Sequence, residues 1–267
     1  MNPLELLNKF SEAIQSKNIE IIDLSHTLGP NTPMIKVPKG HGKNPPPVSL
    51  EYISNYADDG GFSRWSTLTT AEHAGTHFDT PSHWISGQDF ADGNTETIAV
   101  DRFIAPACVL DYSHEVKKNP DFILTKDHII KWEDENGIIE SGSWVLFQSG
   151  WSERFEDPDA FLNMDSNGCH SPGPDPEAVK LMIERNVCGF GTETIGTDYG
   201  AASKFDPPFP LHYFMHGANK FGLASLNNLD KLPPKGSVII TPPLKIVKGS
   251  GSPLRVLALI PKSQDEF

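Results

Sequence analysis

The stretch HAGTHFDTPSH, His73 to His83, puts three of the chain's ten histidines and one aspartate into eleven residues. On a helix His73 and His77 share a face. Asp79, however, falls about 240° around from His73, and Gly75, Thr76 and Pro81 all oppose helix. In a fully extended strand residues 73, 77, 79 and 83 have one parity and point one way, yet His73 and Asp79 would stand about 20 Å apart. One ion bound at roughly 2.0 to 2.2 Å per ligand cannot span that distance. The arrangement that converges these side chains is a strand carrying His73, a tight turn near Gly75 that folds the chain back, and a short extended piece presenting His77 and Asp79 together.

Two neutral imidazole nitrogens and one carboxylate suit a divalent transition ion such as Zn²⁺, Mn²⁺ or Fe²⁺, and leave positions open for water and substrate. An ion so held lowers the pKa of a bound water toward about 7 and polarises a neighbouring carbonyl, which is the basis of hydrolysis without a protein nucleophile. His83, six residues past the second histidine, is placed to accept the water's proton. The competing reading makes these residues capped structural histidines or a structural metal site; structural zinc, though, usually employs cysteines.

Outward from this stretch, Leu4, Leu7, Phe10 and Ile14 predict an amphipathic helix over about residues 3–17. Strands are expected at 19–25, 65–70, 106–112, 143–149, 187–192, 237–243 and 255–260, short runs rich in β-branched and aromatic residues. Helices are expected between them at 125–137, opened by a Thr125 cap, and at 174–186, with Pro176 and Glu177 in the first turn. Six prolines between Gly29 and Pro47 predict a long loop able to shape a pocket. The fold class is α/β or α+β, one domain over residues 1–267 with one central sheet system, and no repeat or linker divides it.

A formal net charge of −13 disfavours nucleic acid or an anionic membrane surface as partner and favours a small molecule. No run approaches the roughly 18 apolar residues of a membrane span, and the amino end lacks a signal-peptide pattern, so a cytoplasmic protein is expected. Cys108, Cys169 and Cys188 are far apart and odd in number, which predicts reduced thiols rather than a disulfide framework. GFGTETIG, from Gly189, has Thr194 where a dinucleotide loop needs its third glycine. No GxSxG elbow is present, and the HxxxH pairs at 73/77 and 212/216 lack the glutamate of a zincin.

The pattern HxGTHxDxPxH, met at every position, resembles the signature of the cyclase-like metal-dependent hydrolases, a family that includes kynurenine formamidases and isatin hydrolases. LGPNTP, FLN, HSPGP, IGTDYG, PPFPLH, FGLASLNNLDKLP and GSGSPLR extend the resemblance along the isatin hydrolase branch from Leu28 to Leu259. The resemblance implies a swivelling β/β/α-type fold with a central mixed, barrel-like sheet, and a homodimer. It implies one divalent ion per subunit on His73, His77 and Asp79, manganese by preference with zinc or iron(II) as alternatives, and His83 as the catalytic base. Kynurenine formamidases often carry a glutamate in an LENL-like segment that helps to bind a second metal. Here that segment reads LNNL with Asn227, which favours a mononuclear site.

The implied reaction opens the lactam ring of isatin to isatinate, metal-bound hydroxide attacking the amide carbonyl while His83 accepts and returns the proton. The alternatives are a kynurenine formamidase or another cyclic amide or ester hydrolase, and, in a different class, a non-catalytic metal-dependent binding protein. A flat aromatic substrate calls for an apolar slot, for which Phe62, Trp65 and Trp84 are candidates; each could equally be core. His212 is a candidate substrate contact or a satisfied core histidine. Ser225 matches a position associated with proton exit, or is a small serine bonded to its own backbone. Asp198 orients a ligand or braces its loop.

Overall fold

In this computed structural model, which describes residues 2–37, 43–56, 62–166 and 168–262, helix α1 (Pro3–Gln15) leads into strand β1 (Ile19–Asp23). A ribbon of β2 (Ser49–Ser54) and β3 (Trp65–Thr69) precedes the three-residue strand β4 (His77–Asp79). Then come β5 (Ile104–Asp111), α2 (Ser113–Lys118), β6 (Ile123–Leu124), α3 (Lys126–Asn136), β7 (Trp144–Gln148) and α4 (Pro158–Leu162). The short strands β8 (Met164–Asp165), β9 (Gly168–Cys169) and β10 (Gly173–Pro174) lead to α5 (Pro176–Glu184), β11 (Gly189–Thr192), a π-helix (Leu211–His216) and β12 (Phe221–Ala224). The chain closes with β13 (Ser237–Ile240), β14 (Gly251–Pro253) and β15 (Leu257–Pro261).

Nine strands form one mixed sheet in the order β1-β15-β13-β5-β7-β11-β12-β4-β14. Neighbours from β5 through β7 and β11 to β12 run parallel, and the flanking pairs are antiparallel. Parallel neighbours need crossovers, and α3, α5 and the π-helix supply them. β7 shows how the sequence builds two layers. Val145 and Phe147 join the cluster formed with Ile129 and Trp132 of α3 and with Val179 and Met182 of α5. Trp144 and Leu146 point the other way, toward Phe78, Phe221 and Ile239. Period-two alternation of large apolar residues therefore covers both faces of the sheet.

The expected central mixed sheet is present, and every predicted strand and helix has a counterpart shifted by a few residues at its ends. The N-terminal helix runs to Gln15, two residues short of the expected end, and its apolar positions Leu4, Leu7 and Phe10 are exposed. β2, β6, β8, β9, β10, β12, β14, α2, α4 and the π-helix have no counterpart among the sequence expectations; most are too short for a periodicity to register. The loop expected over 29–47 is irregular where described, and residues 38–42 lie outside the described residues. One expectation is corrected: His73 is not on a strand. β3 ends at Thr69, and His73 sits in a bend held by side-chain bonds rather than by a ladder. The predicted turn is at Gly75, whose φ of +59° is left-handed.

Candidate metal centre

β4 presents the ligand-type residues because its parity is fixed by Phe78. That ring is fully buried in the layer of Trp144 and Phe221, so His77 and Asp79 face the opposite side, where the π-helix packs. Asp79 lies between two glycines across the ladder, Gly222 of β12 and Gly251 of β14. A Cβ on Gly222 would stand 2.8 Å from Asp79 Oδ2, and one on Gly251 would stand 2.4 Å from His73 Cε1. These two bare backbone positions are what let a carboxylate and an imidazole lie against the sheet.

His73 Nδ1 is 2.7 Å from Asp79 Oδ1, and His77 Nε2 is 3.4 Å from the same oxygen. The other nitrogen of His77, Nδ1, donates to the Gly75 carbonyl at 2.8 Å, which fixes its tautomer and leaves Nε2 as the acceptor facing Asp79. His83, in a short 3₁₀ turn begun by Pro81, stacks on His73 with ring centroids 3.8 Å apart. Ligand atoms of His73, Asp79 and His83 lie within 4.8 Å of one another, and so do those of Asp79, His212 and His216. The turn at Gly75 thus gathers all four motif residues that extended chain would have spread apart.

The π-helix adds two histidines that the motif did not contain. Its wide turn carries His212 and His216 on the face toward the cluster, their rings 5.5 Å apart and each near His83. Asp198 anchors this helix: it accepts from the Leu211 and His212 backbone amides and is bonded to His212 Nδ1. The bracing reading of Asp198 therefore has direct geometry behind it. His216 Nδ1 donates to the Lys220 carbonyl, and its Nε2 is buried without a partner. Asn227 accepts from the Asn228 amide, and its own amide donates to Leu24, which ties it to its loop.

Burial pushes Asp79 toward protonation, but the surrounding imidazoles of His77, His73 and His83 outweigh that and hold its carboxyl well below the usual carboxylate range. His77 and His83 are pushed down by burial, against the pull of Asp79, and His216 is lowered to about 4 for the same first reason. His212 is buried too, yet its bond to Asp198 leaves it raised. One carboxylate ringed by imidazoles is a donor set matched to a divalent transition ion. Among the described residues no Lys or Arg is paired with Asp79.

The aromatic candidates divide. Trp84 reaches the site, its ring 4.7 Å from His212 and 5.3 Å from Phe209, a residue that sequence reasoning missed. Phe209 adopts a positive φ between Pro208 and Pro210, and an aromatic residue set between prolines is the sequence signal that could have flagged it. Phe62 and Trp65 are not brought to the cluster of their own chain. Phe62 is fully exposed beside the ribbon and Trp65 is 57% exposed on β3, because the ribbon pairs only with itself and stands off the main sheet. Ser225 is buried at the end of β12 with positive φ, its hydroxyl unpartnered and its carbonyl accepting from Thr76 at 2.6 Å. It therefore adjoins the turn that carries the ligand-type residues, and its hydroxyl does not bond its own backbone.

Comparison with known proteins agrees with this geometry. The Cyclase family model matches residues 22–199. The chain is 47% identical over 263 residues to the isatin hydrolase of Roseibium aggregatum, spanning 98% of this chain and 100% of that protein. A crystal structure of an isatin hydrolase bound to the product analogue thioisatinate superposes with a TM-score of 0.96 at 47% identity, covering 98% and 100% of the two chains. The kynurenine formamidase of Salinibacter ruber is more distant, 26% identical over 242 residues, with 89% and 96% covered.

Proposed function

The chain belongs to the cyclase family, and from that premise we propose that it is a metal-dependent hydrolase, a single domain that opens the lactam ring of isatin to isatinate. The observation that carries the reading is the convergence of His73, His77, Asp79 and His83 in a chain 47% identical over its length to an isatin hydrolase. His73, His77 and Asp79 would hold one divalent ion, with manganese our choice over zinc and iron(II). When bound, such an ion acidifies a water and draws charge from a carbonyl. His83 is kept neutral by burial, and no hydrogen bond among the described residues engages its ring. It takes a proton from the attacking water as the new C–O bond forms, and returns it to the ring nitrogen as the C–N bond breaks.

Trp84 and Phe209 supply an apolar wall for a planar substrate, and His212, locked by Asp198, offers Nε2 as its polar contact. Ser225 faces the ligand turn through Thr76 and is assigned to proton exit. Asn227, bonded within its loop, supports one ion rather than two, even though His212 and His216 flank Asp79. The homodimer is supported by the ribbon: a lone two-stranded sheet is marginal in water, and Leu50, Tyr52, Ile53, Trp65 and Leu68 are exposed on it. A second copy is our choice of cover, and Phe62 and Trp65 then act across that interface. A cytoplasmic location is consistent with three free thiols.

The test is metal analysis of purified protein alongside depletion assays with isatin, N-formylkynurenine and a simple cyclic imide. Turnover of isatin with about one ion per chain is expected. No isatin turnover in the presence of manganese would sink the proposal.

A further inference from the structure

The outer side of His73 is bonded as deliberately as the side that faces Asp79. His73 Nε2 lies 3.0 Å from Ser250 Oγ, and Ser250 Oγ donates to Glu72 Oε2 at 2.7 Å. The Ser250 amide points at the same carboxylate oxygen from 3.3 Å. Serine has one hydroxyl hydrogen, and a carboxylate can only accept it. With that hydrogen committed to Glu72, Ser250 Oγ can only accept from His73, so Nε2 must carry the ring hydrogen. A metal is bound by the neutral imidazole, and in that form Nδ1 is left with its lone pair, 2.7 Å from an oxygen of Asp79. Two acceptors that close together call for a cation between them, either a proton on Nδ1 or, in exchange for it, a metal ion.

We propose that Glu72 and Ser250 are positioning residues that fix the tautomer of His73, so that Nδ1 is the atom offered to the divalent ion. The proposal rests on reading His73 as a ligand. It makes the GSGSP segment part of the site at two adjacent positions: Gly251 gives the His73 ring room, and Ser250 sets which nitrogen faces inward. The main-chain role of Ser250 is separate, since its carbonyl accepts from the amide and hydroxyl of Thr80 at 3.0 and 2.9 Å. Ser250→Ala removes the hydroxyl and leaves those bonds in place.

The experiment titrates metal-stripped, full-length protein with Mn²⁺ alone and follows the loss of the free-ion paramagnetic signal. Ser250→Ala is expected to weaken Mn²⁺ binding by about 10- to 100-fold, with Ser250→Thr restoring most of it. Glu72→Ala should match Ser250→Ala, and Glu72→Gln, which keeps an acceptor without the charge, should fall between it and the wild type. Nitrogen-15 spectra of the metal-free wild type, which depend on no variant folding, should show His73 protonated at Nε2. Binding by Ser250→Ala within about twofold of the wild type, or a neutral His73 protonated at Nδ1, overturns the relay. Failure of the wild type to bind Mn²⁺, Zn²⁺ or Fe²⁺ overturns instead the reading of the site on which the relay stands.

Discussion

His83 and His73 stack as neighbours, yet their surroundings give them different work. His73 has a polar partner at each nitrogen, whereas among the described residues no hydrogen bond engages the His83 ring, which suits the proton acceptor proposed for it. His83→Ala should therefore lower kcat by about 10²- to 10⁴-fold while metal content per chain stays unchanged. Loss of metal together with rate would make His83 a ligand instead. His26 supplies a separate pH signature. It stacks on Phe155 at 3.7 Å, and burial lowers its pKa from 6.5 to about 4. Between those values the unfolded chain takes up a proton that the folded chain refuses, so this contribution is intact above 6.5 and stability falls as pH drops toward 4. The urea midpoint of His26→Phe should lose less than the wild type's across that window; parallel curves would count against the assignment.

At the scale of elements, β4 is three residues long and works because of its neighbours. β12 and β14 contribute glycine opposite Asp79, and the π-helix brings His212 and His216 over the same face. Gly222→Ala places a methyl 2.8 Å from Asp79 Oδ2 and 3.1 Å from Asp79 Cβ, on a strand paired at both edges. It should cost about 1 to 3 kcal/mol in denaturant unfolding and weaken metal binding with it. Unchanged values for both would mean that the strands spread freely at this point. The β2–β3 ribbon is the element least explained by its own chain. Tyr52→Lys combined with Leu68→Lys should shift the sedimentation of the protein from dimer to monomer, and a wild type that sediments as a monomer would remove the ribbon's assigned partner.

For the whole molecule, the sheet is covered on both faces by apolar layers that owe nothing to an ion, with Phe147 and Phe190 on one side and Phe78 and Trp144 on the other. Chelation should then leave the far-ultraviolet circular dichroism intact and lower Tm only by the binding energy forfeited, about 2.7 kcal/mol at a hundredfold excess over Kd. Unfolding on chelation would identify a structural staple. Among the described residues none of the five α-helices exceeds the 13 residues of α1, and none is long and apolar enough to cross a membrane.

The sequence by itself determined the ligand-type residues, the turn that converges them and most of the strands, because these are matters of local spacing. Gly75 had to be a turn if His73 and Asp79 were to meet, and runs such as WVLFQ alternate visibly. Only the tertiary structure decided what stands around them. Ser250 reaches His73 across 177 residues of chain, Asp198 holds His212 on an unforeseen π-helix, and Phe209 meets Trp84 across a proline-rich loop. It also put Phe62 and Trp65 on a ribbon away from the site that their closeness in sequence had suggested. Periodicity and spacing report which way a side chain points on its own element. Which element faces it depends on sheet order and crossovers, and no short stretch of sequence carries that.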